Sequence, residues 1–115
     1  MYQFSYSEIR QDSGSDARER EREALDRAIE LMEKAEEAGT HSKESVEAIY
    51  ATRTLWGILV EDLANPENSL PDELRASLIS IGLWVMREAE AIRLGKTQSF
   101  QGIIDVTSMI REGLE

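Results

Sequence analysis

Carboxylates are the residues with the most chemistry to offer in this chain. Glu19, Glu23, Asp26, Glu30 and Glu33 follow one another at steps of four and three, a spacing that stacks side chains on neighbouring helical turns. Paired acids do proton-transfer work only where burial or crowding drives their pKa values apart. These acids have arginines and Lys34 alongside, at spacings that permit exposed ion pairs, and they read as a solvated face. His41 is the only histidine and sits in the turn Gly39-Thr40-His41-Ser42. A catalytic histidine works with an orienting acid and a nucleophile; nothing around His41 supports either, and it reads as an exposed loop residue. One histidine also cannot supply the paired Glu-x-x-His motifs of a di-iron bundle.

Other chemistries fare no better. The segment from Asp62 to Asn68 resembles a calcium loop only superficially, because it lacks the glycine at the turn and a closing glutamate at the right spacing. The glycines form neither GxxxxGK[ST] nor GxGxxG, so no phosphate loop is present. Ser77, Ser80 and Ser108 lie in helical stretches without a nucleophile-elbow pattern. With no cysteine, thiolate chemistry and thiolate metal sites are excluded. The chain is therefore expected to be no enzyme and to need no cofactor or metal.

What remains is apolar surface. Leu78-Ile79-Ser80-Ile81-Gly82-Leu83-Trp84-Val85-Met86 carries no charge and one polar side chain. A surface helix shows one apolar stripe and one polar face, whereas this segment is apolar nearly all round. Either its own domain wraps it on every side, or it lies partly open for another helix. Gly57 and Gly82 stand inside helices beside Trp56 and Trp84, and a glycine there costs about 1 kcal/mol relative to alanine. Two accounts offset that cost: close approach of two helices with an indole beside each contact, or a groove floor that admits a guest helix.

The elements that hold these residues are all helical. Ser13 or Ser15 can cap a first helix over about 15–38, with Leu25, Ala28, Ile29, Met32 and Ala35 as its stripe and Gly39 as its stop. A second, over 43–64, starts from Ser42 and carries Val46, Ile49, Arg53, Trp56, Val60 and Leu63 at helical spacing. Tyr50, Ile58 and Leu59 widen that stripe, and Asn65-Pro66 ends it. Pro71 fits the first position of a third helix, over 71–94, with Asp72 and Glu73 complementing its dipole and Gly95 closing it. A fourth, over 100–112, carries Ile103, Val106 or Thr107, and Ile110. In residues 1–12, Tyr2, Phe4 and Tyr6 alternate with polar residues; this reads as an extended arm that packs its rings on the bundle or meets a partner.

The 115 residues fit one domain, and the fold class expected is all-α: a small single-domain bundle of about four helices with an extended N-terminal arm. The net charge of -10, with basic residues interleaved among acids, argues against a phosphate track and against anionic membranes. No secretory signal and no stretch near the roughly 18 apolar residues of a membrane span is visible. The chain is expected to be soluble, and an apolar or basic protein partner remains open.

Three segments then carry a likeness. They are Met1-Tyr2-Gln3-Phe4-Ser5-Tyr6, then Arg53-Thr54-Leu55-Trp56 with Glu61-Asp62-Leu63-Ala64-Asn65-Pro66-Glu67-Asn68-Ser69-Leu70-Pro71, and above all Leu74 to Val85. Together they resemble the FlaF family, small flagellar proteins of alphaproteobacteria, over nearly the whole chain. The tail from Phe100 to Val106 fits more loosely. The resemblance implies a cytoplasmic regulator of flagellin production that acts with flagellin and with a companion regulator, FlbT, which controls flagellin mRNA. It also implies a secretion-chaperone-like role in bringing flagellin to export, and no catalytic residues.

Residues and resemblance meet in one mechanism. Flagellin ends are helical and amphipathic, and before export they expose apolar stripes that a host groove can cover. The groove is expected to be lined by Tyr50, Trp56, Val60, Ile81, Trp84 and Met86. Two other functions stay open. One is a post-transcriptional regulator acting through FlbT or flagellin mRNA, although the acidic charge disfavours direct RNA contact. The other is a structural adaptor whose apolar run builds a homodimer.

Overall fold

The computed structural model describes the backbone of residues 6–113, with the side chains of residue 17 and of residues 19–113. It contains α1 (Tyr6–Ala38), α2 (Lys43–Ala64), α3 (Asp72–Arg93) and α4 (Gln101–Glu112), and no strand among the described residues. The last three lie within one residue of the limits read from the sequence. Helix α1 begins earlier than expected, at Tyr6. Ser13, Gly14 and Ser15 lower helix propensity without forbidding the helix, so none of them starts it. Of the stretch read as an arm, only residues 1–5 are left, and these lie outside the described residues.

Specific groups close each helix. Gly39, at φ 98°, takes the left-handed conformation, and its N–H reaches back to the Ala35 carbonyl at 2.8 Å. Ser42 then caps α2 by accepting from the Ser45 N–H at 3.1 Å and donating to the Gly39 carbonyl at 2.6 Å. At the far end of α2, Arg75 from the next helix donates to the carbonyls of Leu63 (2.9 Å) and Asn65 (3.2 Å). Those carbonyls are among the groups a helix end leaves unpaired. Pro71 precedes α3 as its cap residue rather than its first helical residue. Gly95, at φ 77°, ends α3 with Gly95 N–H on Ile92 and Lys96 N–H on Ala91, the paired bonds of a Schellman motif. Glu36 of α1 receives the start of α4: its carboxylate accepts from the Phe100 N–H at 2.6 Å and the Ser99 hydroxyl at 2.8 Å, placing negative charge at a positive dipole end.

The helices form a ring. α1 packs against α2 and α4, α3 packs against α2, and the α3–α4 seam is the thinnest. The buried face of α1 is Leu25, Ala28, Met32 and Ala35, as its spacing predicts. The buried face of α2 is Ser45, Ala48, Ile49, Thr52, Trp56 and Leu63. Ile49, Trp56 and Leu63 thus hold their expected places, while Val46 and Arg53 turn outward and the small polar Ser45 and Thr52 are buried. Arg53 instead meets Glu90 of α3 at 3.3 Å on the surface. Asp26 of α1 accepts from Arg111 of α4 at 2.8 Å, and that hydrogen bond holds its carboxyl below the usual aspartate value.

Trp56 occupies the centre, 1% exposed. Its indole N–H donates to the Thr107 hydroxyl of α4 at 3.3 Å, and its ring lies against Gly82 of α3. A Cβ on Gly82 would collide with Val60 Cγ2 and stand 3.2 Å from Trp56 Cε3. Gly82 is therefore a close-approach residue between α2 and α3. Gly57 is not equivalent, since a Cβ there would meet only Met86 Cε at an ordinary 3.8 Å. Gly57→Ala should stabilise the fold by about 0.5–1 kcal/mol through helix propensity, whereas Gly82→Ala should destabilise it by about 1–3 kcal/mol through overpacking. Urea denaturation of both variants checks the opposite signs.

Candidate protein-binding surfaces

The six residues expected to line one groove are distributed over different parts of the bundle. Trp56 belongs to the core and meets the outside only as a wall of a cavity. Val60 packs against Gly82. Met86 is half-buried beside Gly57 on the α2–α3 seam. Ile81 and Trp84, both half-buried, do come together, lining a shallow recess with Ser80 and Val106 on the α3–α4 seam. Tyr50 stands on the outer face of α2, 74% exposed. The reason is rotational: six residues from the inward Trp56, Tyr50 stands about 120° round the helix and turns away from the core.

The uncharged run of α3 is covered on one side only. Gly82 and Val85 are buried, Leu78, Ile79, Ile81, Trp84 and Met86 are half-buried, and Leu83 is 49% exposed. The indole of Trp84 lies over α4, where a Cβ on Gly102 would stand 3.1 Å from Trp84 Cη2. Trp84 therefore serves as a lid on the thin α3–α4 seam and leaves only one flank for a partner.

A longer apolar surface lies on the α1–α2 seam. Ala24, Ala28 and Leu31 of α1 face Tyr50, Ala51, Thr54, Leu55 and Ile58 of α2 across a trough. It continues toward Ala17, Arg20 and Glu21 on one wall and Leu59 and Asp62 on the other. From Glu47 to Asp62 the α2 wall measures about 22 Å, the length of roughly four turns of a guest helix. Tyr50, Thr54 and Ile58 recur every four residues along this wall, with Ile58 60% exposed, while Val46, one step earlier and 68% exposed, turns to the α3 side. Isolated exposed apolar side chains are ordinary, but a contiguous row beside a trough marks an interaction surface. Sequence reasoning named Tyr50 alone here; the four-residue steps from Tyr50 to Thr54 and Ile58 were the signal for the rest.

The charges on the α3 side of Tyr50 pair with one another. On its α3 side a second hollow is lined by Val46, Ile49, Arg53, Thr54 and Arg93. Glu90 holds both arginines, at 3.3 Å to Arg53 Nη1 and 2.6 Å to Arg93 Nη2. Its hydrogen bond to Arg93 keeps the Glu90 carboxyl below the usual glutamate value. His41 is exposed. Among the described residues no group of His, Cys, Asp and Glu is arranged to hold a metal ion, and no described helix is long and apolar enough to cross a membrane.

Comparison with known proteins gives one family. The family model described as flagellar protein FlaF matches residues 2–114. No curated protein and no solved structure matches the chain.

The geometry separates residues that hold the fold from residues that are free to bind. Trp84→Ala should lower folding stability by about 2 kcal/mol, because it strips the cover from Gly102, while Tyr50→Ala should change it by less than about 0.5 kcal/mol. Equal losses in urea titrations of the two variants would contradict this division.

Proposed function

The chain belongs to the FlaF family of flagellar proteins, and from that premise we propose that it is a non-catalytic partner of flagellin. It acts in the cytoplasm as a secretion-chaperone-like factor, covering an amphipathic flagellin end until export and so coupling flagellin synthesis to its use. FlbT is the proposed companion through which that coupling reaches flagellin mRNA. The observation that carries this reading is the exposed row Tyr50, Thr54 and Ile58 along the α1–α2 trough. An amphipathic helix laid in such a trough hides its stripe and the host's together.

The magnitudes set what the trough and its guest have to supply together. Each large side chain that a guest buries fully contributes roughly 1.5–3 kcal/mol, and micromolar binding corresponds to about 8 kcal/mol. Tyr50, Ile58 and the half-buried Leu31, Leu55 and Leu59 supply part of that value, and the guest's own apolar stripe has to supply the rest and the association costs. The acidic surface supports the same reading, since it keeps a protein with an exposed apolar face dispersed.

Tyr50→Ala combined with Ile58→Ser should weaken flagellin binding at least tenfold in calorimetric titration, with the melting temperature nearly unchanged. Undiminished binding by this double variant would remove the α1–α2 trough from the mechanism.

A further inference from the structure

The trough does not end in open solvent. Leu55 and Leu59 on its α2 wall also line a cavity of about 170 Å³ at the end of the bundle. The floor of the cavity is Leu25, Trp56 and Leu63, all buried. Its mouth is formed by Asp62, Asn68 and Leu70, at the start of the α2–α3 connection. We infer that this cavity is an anchor pocket for one apolar side chain of a guest helix that carries a cation beside the anchor. The inference rests on the proposed function for the identity of the guest, and on the cavity itself for the chemistry.

Size and polarity set the occupant. A dry apolar cavity of about 150 Å³ is known to hold a benzene ring, so this one takes a single Leu, Met or Phe side chain. The mouth has a sign. Asp62 is held by Asn68, whose Nδ2 donates to the Asp62 carbonyl at 3.2 Å and to its carboxylate at 3.3 Å. The charged residues lining the cavity are Glu21 and Asp62, both acidic, and from Glu61 to Leu74 the chain carries no basic residue. Arg75, which follows, is turned onto the end of α2 and onto Asp72. Arg20 lines the trough rather than the cavity. A guest that seats an apolar anchor here therefore places its next helical turn against a negative rim, which favours lysine or arginine and repels an acid.

Phenethylammonium, an aromatic ring joined to a cation, is the minimal probe, and phenylacetate is its anionic counterpart. Titrated into the ¹⁵N-labelled full chain at low salt, phenethylammonium should shift the Trp56 indole N–H saturably and leave that of Trp84 in place. Phenylacetate should bind at least tenfold more weakly, and Asp62→Asn should narrow that gap. Equal affinity for cation and anion, no saturable shift, or a shift confined to Trp84 would overturn the inference. Flagellin capture by the same sample separates the two claims. Capture without phenethylammonium binding removes the anchor pocket alone, and phenethylammonium binding without capture removes the flagellin reading and leaves the pocket.

Discussion

The structure depends on burying one indole. Trp56 projects from α2 into the middle of the ring, and α3 and α4 each have to accommodate it. Gly82 has no side chain because the Trp56 ring and Val60 occupy that space. Thr107 supplies the acceptor that a buried indole N–H requires. The remaining seams follow from this placement. With Trp56 facing inward, Ser45, Ala48 and Thr52 are buried with it, and Val46, Tyr50, Thr54 and Ile58 face solvent.

The polar contacts distribute the remaining stability unevenly. Helix α4 is tied to α1 at both ends, by Glu36 at its start and by Asp26 with Arg111 near its finish. Its other edge meets α3 mainly through Trp84 on Gly102. A solvent-exposed ion pair contributes at most about 1 kcal/mol, so α4 is held chiefly by Phe100, Ile103 and Ile104 in the core. The core is complete without any residue of the outward α2 row. That row can change or bind without unfolding the bundle, which is the condition a docking surface has to meet.

The residue pattern made much of this fold legible. Ser42, Pro66, Gly39 and Gly95 are strong boundary residues, and α2 and α3 end where they direct. The α1 core spacing was equally plain. The start of α1 was not, because serine can cap a helix or sit inside one. On α2 the stripe drawn through Val46 and Arg53 missed the buried Ser45 and Thr52, since hydropathy does not mark small hydroxyl residues as core. The two interior glycines looked alike in sequence and differ in space, because only Gly82 lies where the α2 side chains leave no room. Exposure was the least legible property: apolar identity cannot tell Trp56, which the bundle encloses, from Tyr50, which it exposes.

Because the chain contains no cysteine, a single introduced thiol can report which face a guest covers. Ile58→Cys places it on the α1–α2 trough and Ser80→Cys on the α3–α4 recess. Alkylation rates measured with and without purified flagellin should show the thiol at position 58 protected tenfold or more and the thiol at position 80 unaffected. Protection at position 80 with none at position 58 would contradict the account.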